Sequence, residues 1–257
     1  MWTLWFSLLF LLWAPTSDGT ELNNDALAQI VSNFTDVALE FSQSERRQFA
    51  FLMVLTEEEC RGSTIASYIP YRDDGLPYIS TRVSNDLKPK GRNYIALYPV
   101  IDGPCTEYVL LRISDEERKK GITTNVAQRF AELVQKRIGN NVGCVIFYSR
   151  LTPCTNFCFS SDPDFNIVTC LREPPFSTIW KNRNIHKYFV YSEGFGPDTK
   201  NQPQICDKLG EVAGAGFQIR RCDGNEIRCR ICTQPDYCLD PQDTEPPRKK
   251  ARHHLRL

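Results

Sequence analysis

The chain has 257 residues with 31 basic and 31 acidic side chains, so its formal net charge is zero. That length is enough for one sizeable core, and the balanced charge excludes a protein whose whole surface attracts polyanions. Five of the last ten residues are basic, and this tail is a candidate for binding heparan sulfate, nucleic acid or a membrane surface. The alternative is a solvated tail without a ligand.

An apolar run occupies residues 1–14 and is followed at once by small and polar residues. The run has the length of a signal-peptide core and is too short for a comfortable membrane span. We therefore predict a signal peptide over 1–19 and a secreted, extracellular protein without a membrane span. A membrane anchor and a buried helix are the alternatives. Secretion makes Asn33, in the sequon Asn33-Phe34-Thr35, a candidate glycosylation site.

The predicted elements alternate between helices and strands. Apolar residues at helical spacing predict the first helix, and short apolar runs predict the strands. In chain order we predict helix 25–43, strands 49–55, 65–71 and 93–101, a helix from 104, helix 125–138 with Asn125 as its cap, strand 142–148, a helix from 153, strand 187–191, helix 205–213 and strand 217–221. This order favours a layered α/β domain over 20–221, with helices packed on a sheet.

The C-terminal region is rich in cysteine and poor in apolar residues. We predict a disulfide-rich, loop-like extension over 222–241 and a disordered basic tail over 242–257. Eleven cysteines fit an oxidising compartment, but an odd number cannot pair completely within one chain. Three metal ligands would leave eight cysteines available for disulfides: Cys60, Cys144, Cys170, Cys206, Cys222, Cys229, Cys232 and Cys238.

Two short segments carry the candidate chemistry, Pro104–Glu107 and Pro153–Cys158, each at a predicted helix start directly after a strand. A helix N-terminus favours thiolate over thiol, and thiolate is the form that binds metal. Three cysteine ligands, Cys105, Cys154 and Cys158, would leave the fourth position of a zinc ion to water, as in catalytic zinc sites. Glu107 could take a proton from that water and pass it to a substrate nitrogen. The alternative is that these cysteines form ordinary disulfides.

The two segments resemble the signature of the zinc-dependent cytidine-deaminase superfamily, in which His or Cys, any residue and Glu are followed by Pro-Cys and a second Cys. The resemblance is closest to the secreted AID/APOBEC-like deaminases of vertebrates and extends by element order over 25–221. It implies a cytidine-deaminase-like α/β fold, a mixed sheet flanked by helices. It also implies hydrolytic removal of an exocyclic amine from cytosine or adenine, as nucleobase, nucleoside or single-stranded nucleic acid. By analogy with the family, an extracellular setting suggests a part in immune defence.

Four features depart from the signature. Cys105 stands where histidine is commoner, and three residues rather than two separate the later cysteines. The 45 residues between Glu107 and Pro153 make a long connection, which an inserted helix over 125–138 accounts for. Leu151 replaces the aromatic residue that precedes Pro-Cys in the nucleic-acid deaminases.

The resemblance also suggests three substrate contacts. Asn93 lies upstream of Cys105 where related deaminases keep a substrate-contacting Asn, and Tyr191 and Phe195 flank a loop that contacts the base in the family. A strand-start Asn and two core aromatics are the alternatives. A second function also stays open, a catalytically inactive, disulfide-stapled binding protein that keeps the deaminase fold.

Overall fold

The computed structural model describes residues 21–41, 48–62, 93–97, 106–113, 115–162, 166–194 and 202–239. Within them the chain forms, in order, α1 (Asn24–Phe41), β1 (Ala50–Thr56), α2 (Glu57–Cys60), β2 (Tyr94–Leu97), α3 (Thr106–Leu111), α4 (Asp115–Lys119), α5 (Val126–Ile138), β3 (Val142–Leu151), α6 (Ile167–Leu171), β4 (His186–Glu193), α7 (Gln202–Gly214), β5 (Gln218–Asp223) and β6 (Arg228–Ile231). The predicted signal peptide, the strand at 65–71, Cys105, Phe195 and the basic tail lie outside the described residues.

The strands form one mixed sheet in the order β2-β1-β3-β4-β5-β6. The central strands β3, β4 and β5 run parallel, while β2, β1 and β6 pair with antiparallel neighbours. Because β3 and β4 are parallel, their carboxyl ends lie at the same edge of the sheet. The expected mixed α/β sheet flanked by helices is therefore confirmed.

Helices cover both faces of the sheet. Successive side chains of β1 point to opposite faces of the sheet. Leu52 and Val54 pack with α5 on one face, and Phe51 and Met53 pack with α1 on the other. The Phe34 ring of α1 stacks on Phe51, with the ring centroids 4.2 Å apart. A strand buried on both faces reads as a continuous apolar run, which is the pattern that predicted β1.

Most predicted elements are confirmed within a few residues of their expected bounds. The cap of α5 is confirmed too, because the Asn125 side chain accepts a hydrogen bond of 2.8 Å from the Gln128 backbone. The helix expected from Pro153 is wrong, since residues 155–159 form a turn. The Cys158 carbonyl accepts from the Ile167 backbone at 2.8 Å, so it does not serve the residue four positions on as a helix requires.

The disulfide-rich extension is confirmed, but its loop-like character is only partly correct. Strand β6 pairs with β5 as the last strand of the sheet, and the Cys222–Cys229 disulfide links the two. The Cys232–Cys238 disulfide closes the loop that follows. Physically, the antiparallel pairing satisfies the backbone groups that an irregular segment would leave to water.

Six of the eight cysteines expected to pair do so, the remaining bridge being Cys60–Cys144 between α2 and β3. The expectation for Cys170 and Cys206 is wrong in this structure, because both are free thiols. The Cys170 sulfur lies 3.7 Å from the Asn166 carbonyl of its own helical segment, and the Cys206 sulfur lies 3.4 Å from the Asp236 carbonyl. The two thiols therefore contact different backbone groups rather than each other.

Candidate active site

The candidate site lies at the sheet edge where β3 and β4 end. In open α/β sheets, ligands bind outside the carboxyl ends of the strands. Glu107 on α3 reaches Ser149 near the end of β3, and the turn that carries Cys154 and Cys158 follows β3 directly. The backbone of Thr152 donates to the Glu193 carbonyl at 2.8 Å, which ties the start of this turn to the end of β4.

Helix α3 places Glu107 in its first turn and buries it. Leu110 and Leu111, one turn further along, pack into the core beside α5 and α6 and thereby fix the helix on the sheet. Glu107 is only 1% exposed. A carboxyl group that is buried so completely needs hydrogen-bond partners, because burial alone costs several kcal/mol, about 2–7 for an unpaired polar group.

Two side chains supply those partners. The Gln48 amide nitrogen donates to Oε1 of Glu107 at 2.8 Å, and the Ser149 hydroxyl bonds to the same oxygen. Gln48 also donates to the Ser149 hydroxyl oxygen at 2.7 Å. Its own amide oxygen accepts from the Leu151 backbone at 2.9 Å. The result is a closed network that joins the start of β1, the end of β3 and the first turn of α3.

Burial and hydrogen bonding shift the pKa of Glu107 in opposite directions, and burial has the larger effect. Burial raises the pKa above the ordinary value for a glutamate, because the charged form is deprived of water. Hydrogen bonds from Ser149, from the backbone of Glu107 and from Gln48 stabilise the charged form and lower the pKa, but by less. Buried groups with perturbed pKa values in a strand-end site are typical of active sites.

The structure brings Cys158 to the other oxygen of Glu107. The Cys158 sulfur lies 3.7 Å from Oε2, and the residue is fully buried. Cys154 is half-buried in the same turn, whose backbone is closed by a 2.9 Å hydrogen bond from Phe159 to the Cys154 carbonyl. Cys105 directly precedes α3 in the chain but lies outside the described residues. The three-cysteine ligand set therefore stays a prediction.

The oxidation state of Cys158 bears on that prediction. Cys158 is disulfide-bonded in the structure. A half-cystine has no thiolate to offer a metal, so this bond and a zinc ion exclude each other at Cys158. No group of three His, Cys, Asp or Glu side chains suited to a metal ion occurs among the described residues. The sulfur donors beside Glu107 do match the chemistry of a zinc site once Cys158 is reduced.

The structure does not bring Asn93 to this site. The Asn93 carbonyl accepts from the Val54 backbone at 2.7 Å, and its side-chain oxygen accepts from Arg137 on α5. Val54 is six residues along the chain from Gln48, which corresponds to roughly 20 Å in an extended strand. Asn93 therefore lies at the opposite end of β1 from Gln48, where Arg137 engages its side chain, and its substrate contact stays a prediction.

Tyr191 lies beside the site but has a structural role. It is fully buried on β4 in register with Ser149. Its hydroxyl donates to the Tyr237 carbonyl in the loop that the Cys232–Cys238 disulfide closes. Tyr191 is therefore better described as a core aromatic residue than as a substrate contact.

Sequence reasoning missed Gln48 and Ser149. Ser149 is polar at a fully buried position of a strand that is otherwise apolar from Cys144 to Tyr148. Such a residue must find a partner inside the protein, and that signal could have directed attention to it. Gln48 precedes the strand β1 and carries no comparable signal in the sequence.

A mixed sheet flanked by helices, with a buried glutamate and two cysteines at the ends of its parallel strands, defines a deaminase-like α/β protein. Comparison with protein families agrees. The family described as Secreted Novel AID/APOBEC-like Deaminase 1 matches residues 24–242, and the chain belongs to this family. The matched range covers β6 and the residues of both C-terminal disulfides. No curated protein matches the chain.

The family's description includes a location. The family is described as secreted. In the part of the chain that the structure describes, no helix is both long and apolar enough to cross a membrane.

Proposed function

We propose that this protein is a secreted, zinc-dependent hydrolytic deaminase that acts on a cytosine or adenine base, free or in single-stranded nucleic acid. The observation that carries the proposal is the position of Glu107, fully buried, bonded through Oε1 to two side chains and 3.7 Å from the Cys158 sulfur through Oε2. Membership of a secreted deaminase family supports it. Modification of foreign nucleic acid in immune defence would suit an extracellular enzyme of this kind.

The proposed metal would be held by Cys105, Cys154 and Cys158. Zinc bound in this way supplies an activated water molecule near neutral pH. Glu107 would accept a proton at Oε2 and deliver it to the base, where the amine leaves as ammonia and an oxygen from water takes its place. The buried surroundings keep bulk water away from this proton transfer.

Secretion would follow cleavage of a signal peptide over 1–19, and the structure supports that position. The Leu22 backbone donates to the Tyr188 hydroxyl at 2.9 Å, and the side chain of Asn24 accepts from Arg220. A chain that begins at Thr20 would keep all of these contacts. N-terminal sequencing of protein from the medium of animal cells should give Thr20, and a retained Met1 would contradict this. A glycan is proposed on Asn33, which is partly exposed on α1.

A specific observation favours a second function. Cys158 is disulfide-bonded in the structure, and a protein that keeps this bond could not hold the proposed zinc ion at that sulfur. Such a protein would be a catalytically inactive, disulfide-stapled binding protein on the deaminase fold. Its basic tail would be the first segment to test for binding to polyanions.

One experiment separates the two functions. The secreted protein is purified, its zinc content is measured, and its disulfides are mapped by mass spectrometry. The same preparation is assayed for ammonia release from cytidine, adenosine and single-stranded oligonucleotides. About one zinc per chain, Cys158 outside any disulfide and release of ammonia support the enzyme. Cys158 in a disulfide, with neither zinc nor ammonia, supports the binding protein and contradicts the proposed deaminase.

A further inference from the structure

We infer that Gln48 and Ser149 are positioning residues that anchor Oε1 of Glu107 and thereby direct Oε2 to the reacting proton. The inference rests on the proposed function and extends it to two residues outside the deaminase signature. It assigns different tasks to the two carboxylate oxygens, which are chemically equivalent in a free glutamate.

Both side-chain hydrogen bonds to the Glu107 carboxyl group reach the same oxygen. Oε1 receives Gln48 at 2.8 Å and also the Ser149 hydroxyl. Oε2 faces the Cys158 sulfur at 3.7 Å. A carboxylate held at one oxygen by two donors cannot rotate to exchange its oxygens without breaking both bonds, so Oε2 stays on the cysteine side.

Gln48 is itself held firmly enough to act as an anchor. Its amide oxygen accepts from the Leu151 backbone at 2.9 Å, and its nitrogen donates to both Glu107 and Ser149. The amide nitrogen and the amide oxygen of Gln48 therefore both have partners within this network. Because Leu151 ends β3, the anchor is fixed to the sheet rather than to a loop alone.

Ser149 on β3 is the second side chain that holds Oε1 of Glu107 in place. Its side chain is fully buried in β3, which lies between β1 and β4. Its hydroxyl oxygen lies 2.6 Å from the Leu151 carbonyl as well as bonding to Glu107. One hydroxyl proton can serve only one of these acceptors at a time, so the Gln48 donor keeps Oε1 engaged when the Ser149 proton turns to Leu151.

The predicted consequence is a loss of turnover rather than of substrate binding. A displaced catalytic group can cost about 100-fold in rate even when the displacement is near 1 Å. An interaction that acts only on the chemical step lowers kcat and leaves KM nearly unchanged. Gln48→Met keeps the length of the side chain but removes every hydrogen bond, and Ser149→Ala removes the hydroxyl with little change in volume.

Matched controls come from the same chain. Gln128 on α5 donates to the Glu132 carboxylate at 3.2 Å at the surface, so Gln128→Met removes a similar bond away from the site. Ser192 on β4 bonds to the Tyr148 hydroxyl at 2.8 Å on the opposite face of the sheet, so Ser192→Ala is the control for Ser149→Ala.

The test measures kcat, KM and zinc content for the four variants on a base that the wild type deaminates. We expect Gln48→Met and Ser149→Ala to lower kcat by about 10- to 100-fold at unchanged KM and zinc content, while both controls stay within about 2-fold of the wild type. A KM that rises with kcat unchanged, or full activity in both site variants, would overturn the inference. A wild type without activity on any base would overturn the proposed function and this inference together. If the wild type is active and the site variants give one of these contrary results, only the inference is overturned.

A second measurement on chelator-treated protein does not depend on activity. Urea unfolding of Gln48→Met, Glu107→Leu and the double variant forms a double-mutant cycle. If the two side chains interact as described, the double variant should unfold at a higher urea concentration than the sum of the two single shifts predicts. Additive shifts would show that Gln48 does not hold Glu107, and would overturn the inference even if Ser149→Ala were inactive through misfolding.

Discussion

Ser149 and Tyr191 are direct register partners on the adjacent parallel strands β3 and β4, yet their hydroxyl groups serve different parts of the molecule. Ser149 bonds to Glu107 in the candidate site, whereas Tyr191 donates to the Tyr237 carbonyl in the C-terminal disulfide loop. The candidate site and the C-terminal loop are therefore contacted by two directly adjacent residues of the sheet. The loop backbone is unusual there, because Tyr237 and Cys238 have φ angles of 47° and 64°.

Removing the Tyr191 hydroxyl should loosen this loop. Tyr191→Phe keeps the ring but leaves the buried Tyr237 carbonyl without this donor. We expect a loss of about 1 kcal/mol in the free energy of unfolding, the usual value for one hydrogen bond. Faster proteolysis within 233–237 would be the local sign of the change. Unchanged stability and unchanged cleavage would show that the bond does not hold the loop.

Substitution of the buried Arg220 should lower the stability of the protein. Its side chain is only 3% exposed, bonds to Gln218 and Asn24, and lies over the Tyr188 ring at 5.4 Å. Arg220→Met removes the charged donors and should cost roughly 1.5–3 kcal/mol of stability. Arg228→Met is the control, because the Arg228 side chain is 83% exposed and should change stability by less than about 0.5 kcal/mol. Equal effects in denaturant unfolding would refute this account of Arg220.

Gly143 is required where β3 passes α2. A Cβ at this position would lie 2.5 Å from the Glu57 Cα and 2.8 Å from its nitrogen, and these are backbone atoms that cannot move aside easily. Gly143→Ala should therefore destabilise the protein by about 1–3 kcal/mol. At Gly214, the last residue of α7, a Cβ meets nothing within 4 Å. Gly214→Ala should instead add about 0.4–1 kcal/mol. Urea unfolding should separate the two, and the same sign for both would be inconsistent with the packing.

The free thiols should differ in reactivity. Burial raises the pKa of Cys170 to about 11, so at pH 8 almost none of this thiol is ionised. Cys206 is only half-buried, although burial and the nearby Asp236 and Asp207 raise its pKa too. Iodoacetamide at pH 8 should label Cys206 first and Cys170 only after unfolding in urea. Failure of both to react even in urea would mean that they are paired in a disulfide.

The sequence predicted the layers of this fold better than the connections within its site. Helix α5 was predictable because Asn125 provides a cap and the apolar residues that follow share one face. The helix expected at Pro153 was not formed, because the Cys158 carbonyl is engaged by Ile167, a contact that local propensity cannot show. Strand β6 was missed because it has only four residues, three of them exposed, which is too short for a clear pattern.

Some residues of the candidate site could be predicted from the sequence and others could not. Glu107 was found because its spacing from Cys105 matches a known signature, and spacing along the chain is visible in the sequence. Gln48 and Ser149 are 101 residues apart and meet only because β1 and β3 are neighbours in the sheet. Asn93 precedes β2, and the sequence does not show that this end of the strand lies beside Val54, away from Gln48.

In the proposed mechanism Glu107 transfers the proton while the cysteines hold the metal, so substitutions of the two kinds of residue should have different effects. Cys154→Ala should lose zinc, and stability with it, because metal binding is coupled to folding. Cys105→His should be the mildest change, because imidazole is an ordinary zinc ligand. Cys105→Ala with full zinc content would contradict the proposed ligand set.

The most direct measurement is the deamination rate of Glu107→Gln beside the wild type, on the base that the wild type deaminates, with zinc content determined for both. Glutamine keeps the size of the side chain but cannot accept a proton at Oε2. We expect unchanged zinc content and a kcat lower by roughly two to four orders of magnitude. Full activity of Glu107→Gln at equal zinc content would contradict the proposed mechanism.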